Sequence, residues 1–151
     1  MAIEIKNKKA EFQFFIVEEY VAGIQLQGTE IKSIRDGKAS IMEAFCRFRG
    51  DELFVINMYV AEYEKGSYNN HEPRRERKLL LQRSELNRLK KKMKDVGITI
   101  IPTLLYFSDS GYAKLKIAVA KGKKLHDKRE GLKEKEQKRE MSRMDKRKSA
   151  D

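Results

Sequence analysis

The chain has 151 residues, 34 of them Lys or Arg against 23 Asp or Glu, for a formal charge of +11. That length leaves room for one core. No apolar run approaches the roughly 20 residues of a membrane helix, so the charge points to nucleic acid rather than to an anionic bilayer. A single cysteine, Cys46, and two histidines, His71 and His126, exclude an internal disulfide and a zinc site at ligand spacing, and they fit a reducing cytoplasm.

The N-terminus lacks the apolar stretch of a signal peptide. Lys6, Asn7, Lys8 and Lys9 come next, and an apolar-rich run begins at Phe12. Its aromatic and β-branched residues predict a strand buried on much of both faces. Ala22-Gly23 marks a bend or bulge before alternation resumes at Ile24. Residues 29–37 predict a short helix capped by Thr29, with Ile31 and Ile34 on one face and Gly37 past its end. Residues 45–49 and 53–56 flank Gly50 and predict a hairpin, in which Cys46 is a small core residue. Tyr59, Ala61 and Tyr63 continue the period of two on a further strand.

From 64 to 78 there is no period. Gly66, Ser67, Asn69, Asn70 and Pro73 make a long loop, and Tyr68, His71, Arg74, Arg75, Arg77 and Lys78 make it basic and aromatic. Either the loop is simply solvated, or its guanidinium groups meet phosphate while its rings stack on unpaired bases. Residues 84–96 give the clearest helix: Ser84 caps it, Leu86, Leu89 and Met93 line one face, and Gly97 ends it. Lys90, Lys91, Lys92 and Lys94 suit the helix dipole and phosphate equally. Residues 98–107 predict a strand with Pro102 at an edge or bulge, and residues 108–111 a turn. The next strand sets Leu115, Ile117 and Val119 against Lys114 and Lys116. Lysines on an outer wall suit RNA, or protect a sheet edge.

These elements predict a mainly β fold: a small antiparallel β-barrel of the oligonucleotide-binding (OB) type with two or three flanking helices and a basic C-terminal tail. The barrel is expected over residues 1–120. Residues 121–151 hold thirteen Lys and Arg against seven Asp and Glu, which puts +6 on this segment and +5 on the body. With good helix formers, both charge signs and little apolar surface, the segment reads as a solvated terminus or as a hinge and tail, disordered when free and helical on a target.

Four stretches in order carry a resemblance. The first holds Gly23, Leu26, Gly28-Thr29-Glu30-Ile31-Lys32-Ser33, Arg35 and Gly37. The second is Pro73-Arg74-Arg75-Glu76-Arg77-Lys78-Leu79-Leu80-Leu81. The third runs from Gly97 and Thr99 to Leu105-Tyr106. The fourth holds Lys116-Ile117 and Ala120-Lys121-Gly122-Lys123-Lys124, then His126-Asp127-Lys128-Arg129. With them the chain resembles, from about Asn7 to Arg129, the SmpB family of SsrA-binding proteins.

That resemblance implies an RNA-binding adaptor, not an enzyme, with no metal or other cofactor. It would bind the tRNA-like domain of transfer-messenger RNA (tmRNA) near its elbow and travel with elongation factor Tu to ribosomes stalled on truncated messages. Its tail would pass the small-subunit decoding centre into the messenger channel as a helix, so that the incomplete peptide is tagged in trans-translation. The residues implied to face RNA are Asn7, Lys8, Gly28, Thr29, Glu30, Arg74, Arg75, Arg77, Lys78, Leu79, Lys121, Gly122, Lys123 and Lys124. His126 would meet the decoding centre, and Asp127, Lys128 and Arg129 would follow it in the tail. Two positions depart from relatives: Val21 stands where an acidic residue is frequent, and Phe14 where Tyr is common. A cytoplasmic monomer with no membrane partner is expected. The competing reading is a general RNA-binding OB-type protein, such as an RNA chaperone or ribosome-assembly factor. A nuclease would need clustered carboxylates, whereas Asp36, Glu43 and Asp51 are scattered.

Overall fold

Residues 3–66 and 70–123 are described here from a computed structural model. In chain order the elements are β1 (Glu4–Lys6), α1 (Ala10–Gln13), β2 (Phe14–Ile24), α2 (Gly28–Arg35), β3 (Ala39–Ser40), β4 (Phe45–Arg49), β5 (Glu52–Ile56), β6 (Tyr59–Val60), β7 (Arg77–Leu80), α3 (Arg83–Lys92), β8 (Ile98–Phe107) and β9 (Ala113–Gly122). All strand pairings are antiparallel. They run from β8 through β4, β5, β7, β2 and β9, and β9 pairs with β8 again. β1 adds to β8, while β3 and β6 form a separate pair.

The long alternating runs become β2, β8 and β9, and two of them carry a bulge. In β2, Ile16 lies opposite Ala120 but Glu18 lies opposite Val119, so Val17 is an inserted residue. Because side chains alternate with a period of two, one extra residue reverses the faces. Beyond the bulge Tyr20, Ala22 and Ile24 enter the main core. Before it Phe14 and Ile16 face a second cluster of Ala10, Ile101, Ala118 and Ala120. This is the physical basis of a strand apolar on both faces. In β8 the shift falls between Pro102 and Leu104, with Ile100 inward before it and Leu105 inward after it. The bulge expected at Pro102 is present.

Leu115, Ile117 and Val119 line the main core as the alternation of β9 requires. The opposite face is less uniformly basic than the sequence suggested, because Ala118 and Ala120 lie under Ala10 of α1. β9 also continues through Gly122, two residues beyond the boundary at Ala120. Gly50 adopts φ +62° in the two-residue turn between Arg49 and Glu52, a conformation that costs glycine little. At Gly23 β2 turns from β9 to β7, and an added Cβ there would meet the Leu80 Cβ at 3.3 Å. A side chain at this approach would require Leu80 to give way by a few tenths of an ångström.

Several boundaries differ from the sequence reading. Gln27, not Thr29, caps α2 through a capping box with Glu30, and Gln82, not Ser84, caps α3 through one with Glu85. The regular part of α3 stops at Lys92. The strand expected through Tyr63 stops at Val60, because Asn70 takes the Tyr63 backbone: its Oδ1 accepts from the N–H at 3.2 Å and its Nδ2 donates to the carbonyl at 2.8 Å. β7 lies at the end of the segment read as loop, and β1, α1 and β3 are too short to show a period.

Leu115 is fully buried opposite Ala22 and Leu105. Leu115→Ala is therefore expected to cost about 2–5 kcal/mol in urea unfolding. Val17→Ala, at the exposed bulge residue, is expected to change stability by no more than about 0.5 kcal/mol.

Candidate nucleic-acid interface

The first two motif stretches meet through buried charge. Glu30 and Arg77 are both 0% exposed. The Arg77 Nε donates to Glu30 Oε2, and its other nitrogens donate to the carbonyls of Met58 at 2.8 Å and Pro73 at 3.2 Å. Arg75 donates to Glu30 Oε1 at 2.6 Å, as does the Gln27 backbone N–H at 2.8 Å. Burial alone would raise the Glu30 pKa. The Gln27 N–H and the two guanidinium groups outweigh it and hold the carboxyl below its ordinary value. Burial pulls Arg77 down while the Glu30 carboxylate opposes that shift.

His71 is buried beside this cluster. Its Nε2 lies 2.9 Å from the Val60 carbonyl, which only accepts, so that nitrogen carries the proton. Nδ1 is then left to accept from the Thr29 hydroxyl at 2.9 Å. The expectation of a solvated His71 ready to stack on a base is thus corrected, and the Thr29 hydroxyl is already engaged. Glu30, Arg77 and Leu79 offer no surface, so residues 74–78 are not one exposed basic unit. Arg74, Arg75 and Lys78 keep solvent access, as does Gly28 at the first turn of α2. Arg74 donates to Asn57 Oδ1 at 2.7 Å and lies over the Tyr59 ring, while Lys78 pairs with Glu52. Tyr68 lies outside the described residues.

Asn7 and Lys8 belong to a different place. The Asn7 N–H donates to the Thr103 carbonyl and its Nδ2 to the Pro102 carbonyl, both at 3.0 Å, so this side chain clamps β1 to the β8 bulge. Around it lies an open groove of about 350 Å3 whose charged lining is Lys6, Lys8, Glu11, Glu19 and Lys116. Lys116 pairs with Glu19 at 3.1 Å, and Val21 lies opposite Lys116 in the β2–β9 ladder. The end of β9 reaches the same wall. The Lys123 N–H donates to the Gln13 carbonyl at 2.9 Å, and its Nζ donates to the Glu11 carbonyl at 2.7 Å and lies over Phe15. Lys121 and Gly122 are exposed sheet residues. Lys124, His126, Asp127, Lys128 and Arg129 lie outside the described residues.

Asn7, Lys8 and Lys121–Lys123 are therefore gathered around α1, and the residues of α2 and 74–78 form a second group. Among the described residues no hydrogen bond or ion pair joins the two. Sequence reasoning missed Lys6, Glu19 and Thr103; the one available signal was the proline-marked bulge that lets Asn7 dock. The lysines of α3 are partly spoken for. Lys90 pairs with Asp51 at 2.8 Å, lowering that carboxyl's pKa, and Lys92 and Arg88 face Glu18. Cys46 is buried, which pushes its thiol up and makes it unreactive. No group of three or more His, Cys, Asp or Glu that could hold a metal gathers among the described residues, and none of the helices there is long and apolar enough to cross a membrane.

The family model described as "SmpB protein" matches residues 4–147. The chain is 55% identical over 145 residues to the SsrA-binding protein of Christiangramia forsetii, covering 96% of this chain and 92% of that one. It is 54% identical over 146 residues to the SsrA-binding protein of Bacteroides thetaiotaomicron, covering 97% of each. A chain of the solved structure named "tmRNA-SmpB: a journey to the center of the bacterial ribosome" superimposes with a TM-score of 0.68 at 48% identity, covering 82% of this chain and 85% of that one.

Removing one partner of a buried pair strands the other charge, so Arg77→Ala is expected to cost about 3–5 kcal/mol. Arg74→Ala, at the surface, should cost less than about 1 kcal/mol. The folded Glu30 pKa lies below its unfolded value, so the stability it contributes is complete above about pH 5 and is lost as pH falls through the folded pKa. Glu30→Gln should therefore flatten the acid limb of a plot of Tm against pH, an effect that thermal melts between neutrality and acid will read directly.

Proposed function

Since the chain belongs to the SmpB family of SsrA-binding proteins, we propose that its body holds tmRNA through the groove at the β8 bulge and that its C-terminal segment acts on the ribosome. The protein is a tmRNA-binding adaptor of trans-translation and not an enzyme. The observation that carries this is the family match over residues 4–147, which spans body and tail alike.

The closed circuit of strands is read as an OB-like barrel. On its β2–β9–β8 wall, Lys6, Lys8 and Lys116 present three ammonium groups over an open groove, with Lys121 and Lys123 beyond α1. Phosphates of the tRNA-like domain, near its elbow, would lie along this row, and Asn7 would set its geometry from the bulge. Gly28, Arg74, Arg75 and Lys78 remain RNA-facing in this reading. Glu30, Thr29, Arg77 and Leu79 act from beneath, by holding α2 and β7 in place. The adaptor works as a cytoplasmic monomer, delivered with elongation factor Tu; the tail expected from residue 121 starts instead after Lys123, since Lys121 and Gly122 belong to β9, and it is disordered when free and helical in the messenger channel. His126 stacks on or hydrogen-bonds a ribosomal base at the decoding centre, and Asp127, Lys128 and Arg129 start the channel helix.

Lys8→Ala combined with Lys116→Ala is expected to weaken binding of the tRNA-like domain about tenfold. It should also lower the slope of log affinity against log salt by roughly 2. Unchanged affinity in a filter-binding titration would remove the groove from the interface.

The tail is expected to separate binding from action. A chain ending at Lys124 should bind tmRNA with near full-length affinity. His126→Ala in the full chain should also bind normally yet slow peptide tagging on ribosomes carrying a truncated message. A reconstituted tagging assay run beside the binding assay checks both, and wild-type tagging by the His126 variant counts against the decoding-centre role.

A further inference from the structure

The motif-bearing residues leave one patterned surface unused. In β4 the side chains of Cys46 and Phe48 point inward, opposite Val55 and Leu53 of β5. The period of two then turns Phe45, Arg47 and Arg49 outward, opposite Ile56, Phe54 and Glu52. Phe54 lies opposite Lys78 of β7, which borders the row on the side of the second motif stretch. Both rings are half-buried, each under a guanidinium group: Arg47 lies 5.6 Å from the Phe45 ring centroid and Arg49 5.9 Å from that of Phe54. Arg49 is also paired with Glu76 at 2.6 Å and Lys78 with Glu52 at 2.7 Å. Arg47 is exposed and pairs with no carboxylate among the described residues.

We propose that this outward face of β4 and β5 is a second RNA surface, one that stacks the unpaired bases of a single-stranded segment. The proposal rests on the reading of the chain as an RNA-binding protein. Guanidinium groups over aromatic rings on neighbouring strands offer two planar, polarisable partners on which bases can stack. Arg47 is left to meet a phosphate, so the surface complements both parts of a single strand. A duplex keeps its bases stacked on one another and would use only the charges. An acidic protein segment would likewise use the arginines without needing the rings. The face also lies on strands other than the β2, β8 and β9 that frame the groove, so both surfaces can be occupied at once.

The test uses the full chain and a fluorescent oligouridylate of about ten nucleotides, followed by anisotropy. The oligonucleotide is expected to bind equally well with and without saturating tRNA-like domain. An abasic strand of the same length should bind about tenfold more weakly. Arg47→Ala combined with Phe54→Leu should weaken oligouridylate about tenfold or more while leaving the tRNA-like domain within about twofold. Arg47→Glu alone, at an exposed position, gives the same reading should the Phe54 change lower the Tm. Displacement of the oligonucleotide by the tRNA-like domain would overturn the proposal, because the groove would then be the site. Equal binding of the abasic strand would overturn the stacking, and so would a face that responds to oligoglutamate but not to oligouridylate. Failure of the groove reading shows separately, as unchanged tRNA-like-domain binding in the Lys8 and Lys116 variant.

Discussion

The buried pair of Glu30 and Arg77 is the interaction on which the rest of the body depends. Two charges removed from water cost several kcal/mol unless their hydrogen-bonding capacity is met. Here Glu30 accepts from the Gln27 N–H, Arg75 and Arg77, and Arg77 is satisfied further by the Met58 and Pro73 carbonyls. One cluster therefore fixes the start of α2, the end of the long loop, the start of β7 and the turn before β6. His71 adds a second tie between α2 and β6 through Thr29 and the Val60 carbonyl.

The bulges do the complementary work on the other wall. Without Val17 and Thr103 as inserted residues, one parity would run the length of β2 and β8, and the outer wall would be uniformly solvated or uniformly buried. With them, Phe14, Ile16 and Ile101 turn outward to seat α1, and the Thr103 carbonyl is freed to bind Asn7. The groove with its three lysines is a by-product of that reversal, framed by α1, the bulge and the outer side of β9. A position that looks like a ligand contact, Asn7, is also a structural clamp. Its loss would disturb the groove even if it never touched RNA.

How much of this was legible in the sequence follows from the range of each signal. Alternation over ten or so residues gave β8 and β9, Gly50 gave the hairpin, and Pro102 gave its bulge, because all are local. The reversal at Val17 was visible only as apolar residues on both faces, with nothing to show which residue was extra. Arg77 and His71 were misread because a buried ion pair 47 residues apart in sequence, and a histidine bonded 42 residues away, look like exposed polar side chains until their partners are known. The cap of α2 fell to Gln27, with the nearer candidate Thr29 engaged by His71, and that of α3 to Gln82 rather than Ser84. The glutamates three residues after the two glutamines were the signal for both capping boxes.

The end of β9 is held more firmly than its composition suggests. Composition put the change at Ala120, where alternation stops and cations crowd in. The backbone tells against a loose joint there: Lys121 is paired in the ladders with both Phe15 and Ile98, Gly122 with Phe14, and Lys123 bonds the Gln13 carbonyl. Lys123 is tied again through its ammonium to α1, the short helix that also walls the groove. The body therefore extends at least through Lys123. An RNA bound in the groove would press on the element that anchors Lys123, because α1 lines the groove and accepts from the Lys123 ammonium. The end of β9, α1 and the groove wall therefore act as one packed unit, so a change at Lys123 or Glu11 would reach the groove, and Asn7 at the bulge, through α1.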